Sequence, residues 1–507
     1  MKMWTKAVLV FIFFGGTNAA KTTVNLNCEP TIKPGLCILK SIKIQAKDVI
    51  ESTTSSSSEK VIKFESSQLE YLPEVLFKQF PRLEFLSADN VGLKKLTANI
   101  FAKSTSLIQL DISSNFVDAL PENAFGTCNN LEIINMAANR LHIFNSIEII
   151  GCNQLRHLNV SSNQLIYMNW DPLNDLRHLE QIDLNDNLLT ELIIPKYLRR
   201  ITIRHNHIHQ LDTNRDSFIF LLEHLDASKN RLSDISALSR LAKLTYIDLS
   251  YNRLVSVDFA LFRNMRQLRD LRLAHNNIFA VSTSDLKTLS LELVDLSHNE
   301  LTHLTANDSA GIGSVVKLLL NNNYLMSFEL TDGSRNFPNL REISLNDNDW
   351  ICEDIEKLVK VLKAKKITIK SDNQRCTSYQ IIKDQVCCRD LGTTFDELVL
   401  LKSEKIAEIQ RNSARTGQQS ETVKSLDAEA PNEVQKIASS VQVSATDKDL
   451  RSRLMTAESR LTIMEQERNT LQSLLTKAQQ DISLTSERLR RCLSAFNQRT
   501  GQTVIVD

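Results

Sequence analysis

The side chains best able to do chemistry in this chain are nine cysteines and ten histidines. The cysteines fall in groups: Cys28 with Cys37, Cys128 with Cys152, then Cys352, Cys376, Cys387 and Cys388, and last Cys492. In an oxidising compartment such groups form disulfides, and an odd count leaves one thiol for another chain. Zinc is the competing chemistry for the four-cysteine cluster, but paired C-x-x-C spacing is lacking. His205, His207 and His209 alternate, and alternate residues share a face only in extended chain. No Cys or acidic fourth ligand is fixed beside them, so the sequence assigns no metal and no cofactor. For catalysis there is no G-x-S-x-G, H-E-x-x-H or phosphate-cradling glycine loop, and Ser, His and Asp recur too freely for any trio to stand out. The chain therefore reads as a non-enzyme.

What positions these residues is a repeat. The frame L-x-x-L-x-L-x-x-N-x-L fits residues Leu107 to Asn115 and recurs with its Asn at 139, 163, 187, 206, 230, 252, 276, 299, 323 and 348. Most steps are 24 residues, and the short one runs from Asn187 to Asn206. Two degenerate copies precede these, with Val91 and Ser67 in the Asn slot. Apolar residues alternating with polar ones, as at Leu158 and Val160 or Ile247 and Leu249, make a short strand with one buried face. After it the chain turns inward with backbone groups that need partners, and Asn can donate and accept together. One such unit cannot bury its own leucines, whereas thirteen stacked units can, giving an α/β solenoid: a leucine-rich-repeat horseshoe with a parallel concave sheet.

The frame places the reactive residues. Cys128 and Cys152 occupy one slot of consecutive turns, about 5 Å apart, within disulfide range, and are expected to bridge on the outer surface. Cys28 and Cys37 precede the first strand-like segment, Ile42 to Ile44, and are expected to bridge in an N-terminal cap. At the far end, Asn348 to Cys352 and a helix over Ile355 to Leu362 should close the solenoid. Neighbouring Cys387 and Cys388 seldom bond to each other, so at least one should reach Cys352 or Cys376. The other, like Cys492, is then a candidate for an interchain bond. On the concave face Asp111, Asp183, Asp226, Asp248 and Asp295 form an interrupted acidic column. Across neighbouring slots lie His157, Arg200, Arg204, His205, His224, Arg272, His275 and His298. These columns could bind a charged partner, or could simply be a solvated face whose charges offset each other.

Lys+Arg and Asp+Glu are balanced at 60 each, so net charge points to neither nucleic acid nor an anionic membrane. Lys2 and Lys6, the apolar run Ala7 to Phe14 and the Thr17-Asn18-Ala19 site read as a secretory signal, too short for the roughly 20 residues of a membrane span. Asn159-Val160-Ser161 and Asn307-Asp308-Ser309 are glycosylation sequons. From Leu450 a heptad appears: Leu454, Leu461, Leu475, Ile482 and Leu489 at one core position, and Leu450, Met464, Leu471 and Cys492 at the other. An α-helical coiled coil is expected, with another chain or within a helical hairpin, and Arg468 in its seam favours a heteromeric partner; the alternative is an amphipathic helix folded against its own solenoid. The boundaries are a signal over 1–20, an N-terminal cap with a Ser-rich loop over 21–60, and repeats over 61–350. A C-terminal cap and cysteine cluster follow over 351–392, then a helical coiled-coil region over 393–507, weak near 412–444.

This order, with Cys376, Cys387-Cys388-Arg389-Asp390-Leu391 and then Phe395-Asp396-Glu397-Leu398, resembles the leucine-rich-repeat immune proteins of mosquitoes, over essentially the whole mature chain. The resemblance implies a secreted haemolymph protein that pairs, as a disulfide-linked dimer, with a related repeat protein through the coil and the double-cysteine region. It further implies that the pair stabilises or delivers a complement-like thioester-containing protein. Cys492 is an addition to that pattern. The alternatives are direct recognition of a pathogen surface or glycan by the concave face, and an extracellular adhesion or structural role.

Overall fold

The computed structural model describes residues 26–389 except 30–32, 46–49, 51–57, 99, 122–123, 127, 215–218, 283–288, 305–311, 329–336, 371–375 and 377–379. The chain parts into two units, 1–394 and 395–507, and the described residues all lie in the first. The expected signal segment, the sequon at Asn307, Cys492 and the coiled-coil seam fall outside the described residues.

One short strand per coil, of three residues after two of five at the start, stacks into a 15-stranded parallel sheet, from Leu36–Lys40 at one end to Thr368–Lys370 at the other. Register is strict: Leu110, Ile134, Leu158, Ile182, Ile201, Leu225, Ile247, Leu271, Val294, Leu318 and Ile343 lie in one line, all buried. Opposite the sheet the chain returns through short 3-10 turns, among them Ser146–Ile149, Asp171–Asn174, Ser236–Arg240 and Phe259–Phe262. On that side Phe77 meets Phe101 edge to face (5.9 Å between centroids) and Phe101 stacks on Phe125 (5.2 Å). The short step lacks such a turn. There Glu191–Ile194 pairs directly with Gln210–Thr213 as extended chain.

The asparagines hold the turns between coils. Asn163, for example, donates from Nδ2 to Met136 O of the preceding coil (3.1 Å) and to Val160 O (3.0 Å), while its Oδ1 accepts from Leu141 N (3.0 Å). The same pattern runs from Asn115 to Asn348. A buried backbone group left unpaired costs about 1–3 kcal/mol, so each of these amides is a structural requirement. Ser67 replaces Asn by accepting from Ile42 N (3.0 Å) and donating to Leu39 O (3.3 Å).

The cysteines depart from expectation in three ways. The first sheet strand is Leu36–Lys40, which contains Cys37, whereas Lys43–Ile44 pairs with Gln68–Leu69 elsewhere. Cys37 is bonded to Cys28 and fully buried, because a sheet-end strand with one face on the core gives its sulfur no route to solvent. Cys128 and Cys152 are bonded to each other, with Cα atoms 4.6 Å apart, but packed into the core rather than on the outer surface. Finally, Cys387 and Cys388 are both used within the chain, in Cys376–Cys387 and Cys352–Cys388, so neither is a free interchain thiol. The reason is strand geometry. Both lie in Val386–Cys388, the second strand of a hairpin with Ile381–Lys383, and successive strand residues point to opposite faces. One sulfur therefore faces the capping helix Cys352–Ala364 and the other faces away. Arg389 locks the cap to the last coil through Asp349 (2.7 Å) and a backbone bond to Trp350 O (2.9 Å).

Candidate functional site

Strand register defines two columns on the concave face. The first runs Gln109, Ile133, His157, Gln181, Arg200, His224, Tyr246, Asp270. The second runs Asp111, Asn135, Asn159, Asp183, Thr202, Asp226, Asp248, Arg272, Asp295. Arg272 thus lies within the acidic column rather than beside it. Arg204, His205, His275 and His298, expected on the same face, lie beyond the strands: Arg204 is exposed past Thr202, and the three histidines occupy the left-handed turn, φ 57°, 55° and 54°. Every complete repeat places a non-glycine residue in that turn, because the buried Asn that follows anchors it.

The acidic column has a local cause. Asp226 Oδ1 accepts from Ser228 N (3.0 Å) and Ser228 Oγ (2.6 Å), and Asp111, Asp183, Asp248 and Asp295 each accept the equivalent backbone N–H. Asn135 and Asn159 do the same in their coils. In these coils Asp or Asn satisfies the turn through Oδ1, whereas Thr202 and Arg272 fill the slot in two others; the remaining atoms are partly used, since Asn135 Nδ2 donates to Asp111 Oδ1 (3.1 Å) and the Tyr246 hydroxyl donates to Asp248 Oδ2 (3.4 Å).

Two areas of the face are built differently. Between Gln109 and Thr202 lies an open depression of 390 Å³, with Ile134, Leu158 and Ile182 beneath and Asp111, Asn135, His157, Asn159, Asp183 and Arg200 around it. Next to it the rings of His224 and Tyr246 stack at 4.2 Å, almost parallel. The Arg272 guanidinium sits 5.3 Å from the Tyr246 centroid while making two 3.1 Å bonds to Asp270. Burial, helped by the Arg200 charge, lowers the His224 pKa to about 4, and burial with Asp248 pushes Tyr246 up to about 12. Burial raises Asp248 as well, and the hydrogen bonds that Arg272 donates to Asp270 hold the guanidinium charged. At neutral pH this area is a neutral aromatic platform edged by a fixed cation and carboxylates. Sequence reading passed over Tyr246. Its signal was present, since it takes the same slot as His224 one turn later.

Two further columns were not read from sequence. Before each strand, charges alternate in sign wherever neighbours are charged: Glu132, Arg156 and Glu180 are linked (3.6 and 3.0 Å), as are Arg199 with Glu223 and Arg269 with Glu292 (3.1 Å). In the turn column Tyr251, His275 and His298 stack at 4.0 and 3.9 Å. His205 contacts Asp186 Oδ1 (2.7 Å), and among the described residues no group of three or more His, Cys, Asp or Glu is placed to hold a metal ion.

Fold and surface together define a leucine-rich-repeat solenoid whose polar concave face presents stacked rings and charges in register. The leucine rich repeat family matches residues 105–165 and 220–278. The chain is similar in structure to the LRIM1/APL1C complex (TM-score 0.62, 19% identity, covering 94% of this chain and 95% of that one). It is similar also to the APL1 leucine-rich repeat domain (TM-score 0.58, 22% identity, covering 73% and 99%). Among curated proteins it is 25% identical to Tsukushi of Gallus gallus over 254 residues, 48% of this chain and 62% of that relative. The chain thus spans less than two thirds of that relative's length. At these identities the shared property is the fold. Among the described residues, no helix is long and apolar enough to cross a membrane.

Proposed function

We propose that the chain is a secreted protein-binding scaffold without catalytic activity, which pairs with a related repeat protein and stabilises or delivers a complement-like thioester-containing protein. The observation that carries this reading is the concave face itself: fifteen strands hold its side chains in rigid register, and its strongest cluster, His224, Tyr246, Asp270 and Arg272, is already mutually satisfied. A surface on which Tyr246 and Arg272 are already held in place suits macromolecular recognition, because little side-chain freedom remains to be lost on binding. Likeness to a two-component assembly over 94% of the chain supports pairing. Four disulfides support an oxidising, extracellular setting, and haemolymph is the fluid this reading assigns.

With Cys387 and Cys388 bonded inside the chain, a covalent link between chains falls to Cys492, in the heptad seam of Leu450, Leu454, Leu461, Met464, Leu471, Leu475, Ile482 and Leu489. The test is capture of the full-length secreted chain from body fluid, with and without reductant. A disulfide-linked pair that Cys492→Ser abolishes, together with a co-purifying thioester protein lost when residues 393–507 are removed, is the expected result. A monomer under all conditions overturns pairing. Binding retained by the repeats alone would transfer the function to direct surface recognition.

A further inference from the structure

We infer that Asn159 carries an N-linked glycan that fills the concave depression and confines macromolecular contact to the neighbouring His224–Tyr246 area; the inference rests on the secretory reading above. The Asn159-Val160-Ser161 sequon lies at the end of the strand His157–Asn159, with the Asn159 side chain lining the 390 Å³ depression. That volume lies in the roughly 300–1,000 Å³ range of sites that hold small organic molecules, so the first sugar can sit against the wall.

Two asparagines in this coil differ in what their amides must do for the fold, and only Asn159 carries a sequon, since Asn163 is followed by Gln164-Leu165. Asn163 is 8% exposed, and its Nδ2 donates to three carbonyl oxygens. Asn159 is half-buried, and its turn depends on Oδ1, which accepts from Ser161 N (3.0 Å) and Ser161 Oγ (2.7 Å). Its Nδ2 donates to nothing among the described residues. In transfer from a lipid-diphosphate-linked oligosaccharide, that nitrogen forms a bond to the anomeric carbon. The carbon–oxygen bond to phosphate breaks, the lipid diphosphate leaves with the electron pair, and the amide gives up one proton. Both bonds that hold the turn survive, because they end on Oδ1. The slot that elsewhere takes Asp therefore accepts a sugar here without cost to the fold. The carbohydrate then covers His157, two residues up the same strand, and Asp183, directly opposite on the next coil, and leaves His224, Tyr246 and Arg272 open three or more coils away.

The test is peptide mapping of the full chain secreted from insect cells, treated with peptide-N-glycosidase in heavy-oxygen water, with the disulfides mapped in parallel. Asn159 should appear as heavy-labelled Asp. Ser161→Ala should remove the label and Ser161→Thr should keep it. Diethyl pyrocarbonate should modify His157 several-fold faster after deglycosylation, with His298 unchanged. An unmodified Asn159 in a secreted chain with all four bridges overturns the site, and equal His157 reactivity before and after overturns the masking. A chain retained in the cell with reduced cysteines would instead break the secretory reading.

Discussion

Two columns of short polar side chains run the length of this solenoid, four residues apart in each coil, and they are under opposite constraints. The inner column, Asn115 to Asn348, is buried and uses both ends of each amide. In the concave column, Asp111 to Asp295, the Asp and Asn members are half-exposed and hold the turn through one oxygen. A group that must donate and accept in a dry environment has no substitute of its size. A group that need only accept can be Asp or Asn, and where its other atom makes no bond, as at Asn159, that atom can carry a modification. Similarity along the chain therefore means different things in two neighbouring slots.

The sharpest way to break this comparison is in the inner column. Asn230 donates to Ile203 O (2.9 Å) and Ala227 O (3.1 Å) and accepts from Ile208 N (2.9 Å). Asn230→Leu strands all three groups and should cost about 3 kcal/mol or more, read as a large drop in the midpoint of calorimetric unfolding. Asn230→Asp should be nearly as damaging, since a carboxylate can only accept where two carbonyl oxygens need a donor. If either variant melts like the parent, the inner column is not obligatory.

In the concave face, pH supplies a middle-sized effect. The His224 pKa is about 4 in the fold, below its ordinary 6.5, chiefly through burial. Unfolded chain therefore takes up the proton first, and stability present above pH 6.5 is lost as pH falls toward 4. The ring is half-exposed, so with solvent screening the loss is on the order of 1 kcal/mol. His224→Gln should flatten that part of the pH–stability curve. An unchanged slope would mean that the ring is not held neutral by the stack.

Smaller effects separate the acceptor role from the charge. Asp226→Ala removes the acceptor for Ser228 and should cost about 1 kcal/mol, whereas Asp226→Asn keeps it and should fall within about 0.5 kcal/mol of the parent. Denaturant melts of the two variants decide the point. Equal losses would show that charge, not turn satisfaction, places Asp there. Smallest of all, Arg156→Ala should change stability by less than about 0.5 kcal/mol despite two ion-pair partners, since exposed pairs contribute little.

The strand frame, the inner asparagines and the concave acidic slot were legible because each repeats at a fixed period, and stacking turns a period into a line. What escaped reading was set by neighbours from other coils. His275 and His298 read as strand residues, yet one step past the strand the backbone turns left-handed and carries them to the edge, where they stack on Tyr251. Tyr246 is unremarkable in its own repeat and gains its meaning from His224 before it and Arg272 after it.

By itself the sequence determined the solenoid, since leucines and asparagines returning in step leave a chain no other way to bury its apolar edge and satisfy its turns together. Tertiary structure alone decided how the junction cysteines pair, because the hairpin sends the adjacent Cys387 and Cys388 to opposite faces and spacing carries no record of that direction. It alone also decided which concave atoms remain unused, because a side chain's spare valence depends on what the next coil places beside it.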